Sequence, residues 1–403
     1  MNRSQLSSRD RLALHAVAGQ FFVNGAMTAS FIARAPQIRD RLGVAVDEFG
    51  LLLTIASVFG LLGSLVAGRL IHAVSTKWVL QAAAVVMVLS LLVIGAARSP
   101  AVWLIGMFTY VFVDVLVDIS MNLQGSWISA RRHAPVMNRL HGLWSLGTFA
   151  GGLGAVAANA AGLSTLTHLV IVAAVMALVL LFVTRRLLPD DEEGHGAAAR
   201  PPASNASRRV RLAPVVLLMF AGMFAVVTEV TGGDWANFRL TDDFAAVAAV
   251  GSLAFVAYSA GMTSMRFAGD WLQLRIGRVS LHRFSVGIAI GGFALASLVP
   301  NKTASIVGFL LVGLGVATFM PKLYDDAARL PGRRGSGMGA MTGGMRVAFL
   351  VTPVAVGWLA GTTLSVGDAI AICTLPAAIG LMIVTEWNQR LLRRQSRIAV
   401  AST

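Results

Sequence analysis

Asp114, Asp118 and Asn122 recur at intervals of four within the otherwise apolar stretch DVLVDISMN. On a helix that spacing stacks the three polar side chains along one face. A carboxylate at membrane depth costs about 2.5–3.5 kcal/mol on insertion scales, so it is kept where it meets a cavity or a partner. Two readings follow: a stripe that binds a proton or a solute in a central cavity, or carboxylates paired with an arginine or capping a neighbouring helix. In the first, Asp118, Asp114 and Glu229 are the proton-coupling residues and Asn122 adds a substrate-binding amide.

Glu229 and Asp234 flank Thr231-Gly232-Gly233, whose paired glycines loosen a helix and free its carbonyls for ligand or water. They either bond a substrate near an outer gate or end a helix at the interface. Trp235 beside them is an interfacial anchor or a stacking platform for a sugar. Asn24 presents an amide that donates and accepts towards a hydroxylated solute, or packs helices. Arg346, in Gly343-Gly344-Met345-Arg346 within an apolar run, is the candidate counter-charge for Asp114, Asp118 or Glu229, or else snorkels. Arg34, followed by Pro36, binds an anionic solute, pairs with Asp234 as a gate, or snorkels. Arg139 and His141 are gating candidates.

Other chemistry has no residues to perform it. No Gly-rich phosphate loop ends in Gly-Lys-Ser/Thr, no His/Cys/Asp/Glu cluster has metal spacing, and the single Cys373 forms no intrachain disulfide. An enzyme, a cofactor and a metal are therefore not expected. The 16 methionines and 20 phenylalanines are spread through the chain and read as packing and lipid contact.

The elements that would carry these residues are membrane helices. The 403 residues are 56% hydrophobic and 13% charged, with a mean hydropathy of +0.73, which excludes a soluble multidomain enzyme. Windows of about 20 residues give spans near 12–35, 48–70, 78–97, 101–128, 141–162 and 165–184, then 212–238, 245–266, 281–299, 303–323, 336–360 and 367–387. The expected fold is all-α: a polytopic membrane protein of twelve transmembrane helices in two six-helix bundles, residues 1–184 and 212–403. Between them the charged, Pro-, Ala- and Ser-rich stretch 185–211 reads as a cytoplasmic linker. Of 33 Lys and Arg, 27 fall in the tails and even-numbered loops, leaving Arg34, Arg39, Arg41, Arg98, Arg239 and Lys302 on the other side. That asymmetry places both termini in the cytoplasm and explains the net charge of +14 without a nucleic-acid partner.

The 6+6 plan with a long central loop resembles the major facilitator superfamily over the whole chain. Ala33-Arg34-Ala35-Pro36-Gln37-Ile38, Asp118-Ile119-Ser120-Met121-Asn122-Leu123-Gln124-Gly125, Leu140-His141-Gly142-Leu143-Trp144-Ser145-Leu146-Gly147, and Glu229 with Asp234-Trp235 look like a bacterial fucose-permease-like branch. The superfamily's gating loop motif keeps Gly68 and Lys77 but has His72 in place of its aspartate, while the second-half copy keeps Asp270 and Arg278. The helix 5 antiporter signature lacks its proline in Gly147-Thr148-Phe149-Ala150-Gly151-Gly152. The resemblance implies a secondary active transporter in a bacterial cytoplasmic (inner) membrane. It would move a small polar organic solute by alternating access as a proton-coupled symporter, with substrate, protons and lipid as partners, acting as a monomer. Drug or metabolite efflux by antiport, and a non-transporting scaffold or sensor, are the alternatives.

Overall fold

The structure, a computed structural model, describes residues 7–132, 136–190, 212–328 and 336–401. Every regular element in them is helical. The first half runs α1 (Ser8–Ile32), α2 (Ala35–Leu42), α3 (Val46–Val74), α4 (Thr76–Ala96), α5 (Pro100–Arg132), α6 (Met137–Ala160) and α7 (Thr165–Val183). The second runs α8 (Leu212–Asp234), α9 (Ala236–Asp242), α10 (Ala248–Ile276), α11 (Arg278–Leu298), α12 (Lys302–Val316), α13 (Phe319–Ala328), α14 (Ser336–Ala360) and α15 (Val366–Ala401).

Among the described residues ten helices are long and apolar enough to cross a membrane, and the α1–α2 pair, bent by 48°, makes eleven if it is one span. The twelfth expected span is α6, about 36 Å long at 1.5 Å per residue, whose Arg139, His141 and five glycines dilute its apolar content. Leu65, Phe182, Leu274 and Trp358 are exposed on the outside of the bundle. A surface of this kind suits hydrocarbon, where a helix also satisfies its own backbone.

Three spans are broken, and each break has a local cause. Pro36 sits in the first turn of α2, where its missing N–H and fixed φ favour a new helix start just after Arg34. At Trp235, α8 gives way to α9. The expected loosening at Gly232 and Gly233 is not where the helix breaks. Both glycines stay helical, and a Cβ at Gly232 would press on the Tyr258 ring at 3.0 Å, so the glycine serves close packing against α10. A third break separates α12 from α13 near Ala317.

The two halves pack alike. In the first, α1 and α6 approach so closely that a Cβ at Gly25 or Gly147 would strike the facing backbone at Trp144 or Phe22. In the second, Gly222 and Gly344 stand in the same relation to Met341 and Met219 across α8 and α14. The offset from Gly25 to Gly222 equals that from Gly147 to Gly344, so the same tight seam is built twice. The halves meet through α6 against α10 and α3 against α14, with α2 touching α9.

Side-chain contacts sort the helix ends onto two faces. Arg131–Asp10, Arg278–Asp326 and Arg283–Glu386 lie at the basic face, and Arg39–Asp242 and Arg239–Asp243 at the opposite one. Of the expected linker, 185–190 is described: Leu187 and Leu188 are buried, Gln124 exchanges hydrogen bonds with the Leu188 backbone at 2.7 and 2.9 Å, and Asp190 accepts from Thr76. Residues 191–211 lie outside the described residues.

Candidate functional site

Between the halves the opposite face is sealed and the basic face is not. The seal consists of the Arg39–Asp242 ion pair from α2 to α9, the Asn237 amide donating to the Ile32 carbonyl at 3.2 Å, and the Ser252 hydroxyl donating to the Ala33 carbonyl at 2.7 Å. An aromatic chain crosses the same level: Trp235 to Phe238 at 5.1 Å, Phe238 to Phe49 at 5.7 Å, and Phe49 to Trp103 at 5.4 Å between ring centroids. Towards the basic face a cavity of about 440 Å³ opens, lined by Met137 and His141 of α6 and by Arg266, Gln273, Arg278, His282, Thr318, Lys322 and Tyr324 of the second half. Its size is that of a small-molecule site.

α5 carries two carboxylates within the first half. The Asn24 amide donates to Asp114 Oδ1 at 2.7 Å, and Trp144 Nε1 donates to Asn24 Oδ1 at 2.7 Å. Both polar ends of Asn24 are thus bonded to protein groups, so it holds Asp114 in place instead of presenting a free amide to solute. One turn along, Asp118 is exposed and accepts from Asn122 at 2.9 Å. The i,i+4 stripe is therefore linked by hydrogen bonds at Asp118–Asn122, and Asp118 is its most exposed member. Tyr324 of α13, on the cavity wall, feels the charge of both Asp118 and Glu229.

From the second half Glu229 meets Arg266 of α10. The closest approach is 3.8 Å, an ion pair without a direct hydrogen bond. The same guanidinium donates to the Ser145 hydroxyl at 2.6 Å and lies over the Trp144 ring at 5.3 Å. The Tyr258 hydroxyl donates to the Glu229 carbonyl at 3.1 Å. A connected series results, Asp114, Asn24, Trp144, Arg266 and Glu229, which starts on α5 of one half and ends on α8 of the other.

Several expected roles need correction. Arg346 is exposed on α14, and the counter-charge position is held by Arg266, which hydropathy alone groups with the loop cations. Its depth was readable: Arg266 lies well inside the 29-residue helix that starts at Ala248. Trp235 is fully buried within the aromatic chain, so it is neither an interfacial anchor nor an open platform for a sugar. Arg34 is buried too and donates to the Leu163 carbonyl at 2.8 Å, so it neither snorkels nor pairs with Asp234; the ion pair across the halves on this face is Arg39–Asp242. Asp234 is half-buried at the end of α8.

The gating candidates divide. His141 lines the cavity with its ring edge-on to Phe21 at 5.2 Å. Arg278 lies at the mouth, donating to the Lys322 carbonyl at 3.0 Å and to Asp326 at 2.5 Å, while Lys322 also binds Asp326 at 2.6 Å. His72 and Arg139 are exposed at the basic face. The side chain of Asp270 lies outside the described residues. Trp144, Tyr258, Lys322 and His282 had no assigned part from sequence, because nothing local distinguishes a cavity-facing aromatic or cation from a packed one.

Comparison with known proteins agrees with this architecture. Residues 17–353 match the model of the Major Facilitator Superfamily. The chain is 27% identical over 323 residues to the membrane protein MosC of Rhizobium meliloti, covering 79% of this chain and 76% of that one. It is 24% identical over 315 residues to the uncharacterized transporter y4wD of Sinorhizobium fredii, covering 77% and 81%. Among solved structures it superposes on a variant of the nucleoside transporter NupG with a TM-score of 0.69 at 14% identity, covering 94% of this chain and 99% of that one. A bacterial homologue of the lysosomal transporter Spinster, inward-facing and occupied, gives 0.65 at 13%, covering 96% and 98%. With the family model matched over most of its length and the fold in agreement, the chain belongs to the major facilitator superfamily and is a transporter of that type, not an enzyme.

Proposed function

We propose that the protein is a proton-coupled secondary transporter that moves a small polar organic solute across the bacterial cytoplasmic membrane by alternating access. One observation carries this reading: the contact series from Asp114 through Asn24, Trp144 and Arg266 to Glu229 joins carboxylates of the two halves, with Asp118 one turn from Asp114 and Arg266 the one cation within ion-pair reach of them among the described residues. Carboxylates in excess of cations at membrane depth are costly unless some of them are protonated, which makes them suited to carry a proton. In this scheme the exposed Asp118 takes up a proton and returns it to water on the other side, while Arg266 shifts between Glu229 and an incoming solute. The positive-inside rule makes the basic face cytoplasmic, so the described arrangement is inward-facing, and rocking of the halves about α6–α10 and α3–α14 exposes the site to the other side.

The charged and amide groups set among the methionines of the cavity wall, Arg266, Gln273, Arg278 and Lys322, support a solute with polar groups, and the fucose-permease-like stretches suggest a sugar-like or metabolite cargo. Residues 1–184 and 212–403 act as the two rocking bundles, with 185–211 as the cytoplasmic connection. Purified protein in liposomes tests the reading: counterflow of a labelled solute from a panel of sugars, cyclitols and organic acids identifies the cargo, and an inward proton gradient drives its accumulation. Accumulation driven by the opposite gradient supports antiport efflux instead, and no counterflow with any solute supports a scaffold.

A further inference from the structure

At the opposite face, away from the transport cavity, Arg34 is only 4% exposed and His168 likewise 4%. Arg34 spends Nη2 on the Leu163 carbonyl at 2.8 Å, but its Nε and Nη1 have no acceptor, and neither ring nitrogen of His168 has a partner. The charge that reaches His168 is that of Arg34, and the charge that reaches Arg34 is that of Arg41, all basic. Arg41 itself is turned to the Ile94 and Gly95 carbonyls at the end of α4. Of the acidic groups on this face, Asp40 and Asp242 are engaged with Arg39, Asp243 with Arg239, Glu48 with the Ala45 N–H and Asp368 with Ser365, and among the described residues none, Asp47 included, forms an ion pair with Arg34.

A buried guanidinium without a carboxylate, with donors left over, is an electrostatic debt that protein interiors do not leave open. Two helices also begin here. Arg34 is the N-cap of α2, and His168 lies in the first turn of α7, so both contribute the positive ends of their dipoles. We propose that Arg34 and His168, beneath the turn from α6 to α7, bind a small inorganic anion such as chloride. The burial of both side chains excludes a bulky organic anion, and one guanidinium with one imidazole suits a single negative charge. The bound anion holds the α1–α2 bend against the α6–α7 turn.

Thermal unfolding of the purified full-length protein tests this, with chloride or bromide replacing gluconate at constant ionic strength. A saturable rise in Tm of about 2 °C or more is expected for the parent. It disappears in Arg34→Gln, weakens about tenfold in midpoint in His168→Gln, and persists in Lys302→Gln, an exposed cation of the same face. If Arg34→Gln fails to fold, the parent titration and His168→Gln decide. A response that is absent or linear in the parent, or unchanged in His168→Gln, overturns the site.

Discussion

Asn24 donates its side-chain amide to Asp114 across 2.7 Å, and the oxygen of the same amide accepts from the Trp144 indole at 2.7 Å. One residue of α1 thereby joins a carboxylate on α5 to an aromatic ring on α6, and the face of that ring carries the guanidinium of Arg266 from the other half. The Asp114 carboxylate and the Arg266–Glu229 ion pair are the two ends of this chain of contacts.

Trp144→Phe removes one N–H and keeps an aromatic face for Arg266. A single hydrogen bond of this kind contributes about 0.5–1.5 kcal/mol, so the protein stays folded. Solute counterflow is expected to persist while pH-driven accumulation falls. Equal loss of both activities would place Trp144 in the solute site itself.

Asp118→Asn keeps the size of the side chain and its bond to Asn122 by an amide flip, but cannot cycle a proton. Accumulation driven by a pH gradient should be abolished, with solute exchange largely retained. Wild-type accumulation in this variant would remove Asp118 from coupling.

Arg266→Met leaves Glu229 uncompensated and should cost about 3–5 kcal/mol in thermal unfolding. The double variant with Glu229→Gln should recover much of that loss, and a double-mutant cycle measures the coupling. Additive losses would show that the 3.8 Å pair contributes nothing to stability.

Asp242→Asn breaks the Arg39–Asp242 contact that closes the opposite face. A partly exposed pair contributes about 0.5–1 kcal/mol, or about two- to fivefold in a two-state population. Single cysteines near Phe49 and Phe238 in a Cys373→Ser background should become more reactive from outside the cell. Unchanged labelling would show that the aromatic chain seals that face alone.

Both termini should be cytoplasmic. A tag at either end is expected to stay unreactive to an impermeant label in intact cells and to react after lysis; labelling of intact cells would invert the orientation.

What could be read from the sequence was whatever a bilayer demands of a chain locally. Hydrocarbon forces backbone groups to bond within each segment, so long apolar runs announce helices, and the family follows from their number and arrangement. The Asp114, Asp118 and Asn122 stripe was equally legible, because an i,i+4 spacing is a property of one helix. Tertiary structure decided how each helix is rotated about its axis, which hydropathy leaves open when a helix is apolar on most sides. Hydropathy puts Arg266 at the edge of an apolar run and Arg346 within one, yet packing turns Arg266 towards Glu229 and leaves Arg346 exposed. The same holds for Trp235, whose burial depends on Phe238 and on Phe49 from the other half. For Asn24, partners 90 and 120 residues away decide that its amide is spent within the protein. Charge pairing and polar satisfaction act through space, and only the assembled helices bring those distances down to a hydrogen bond.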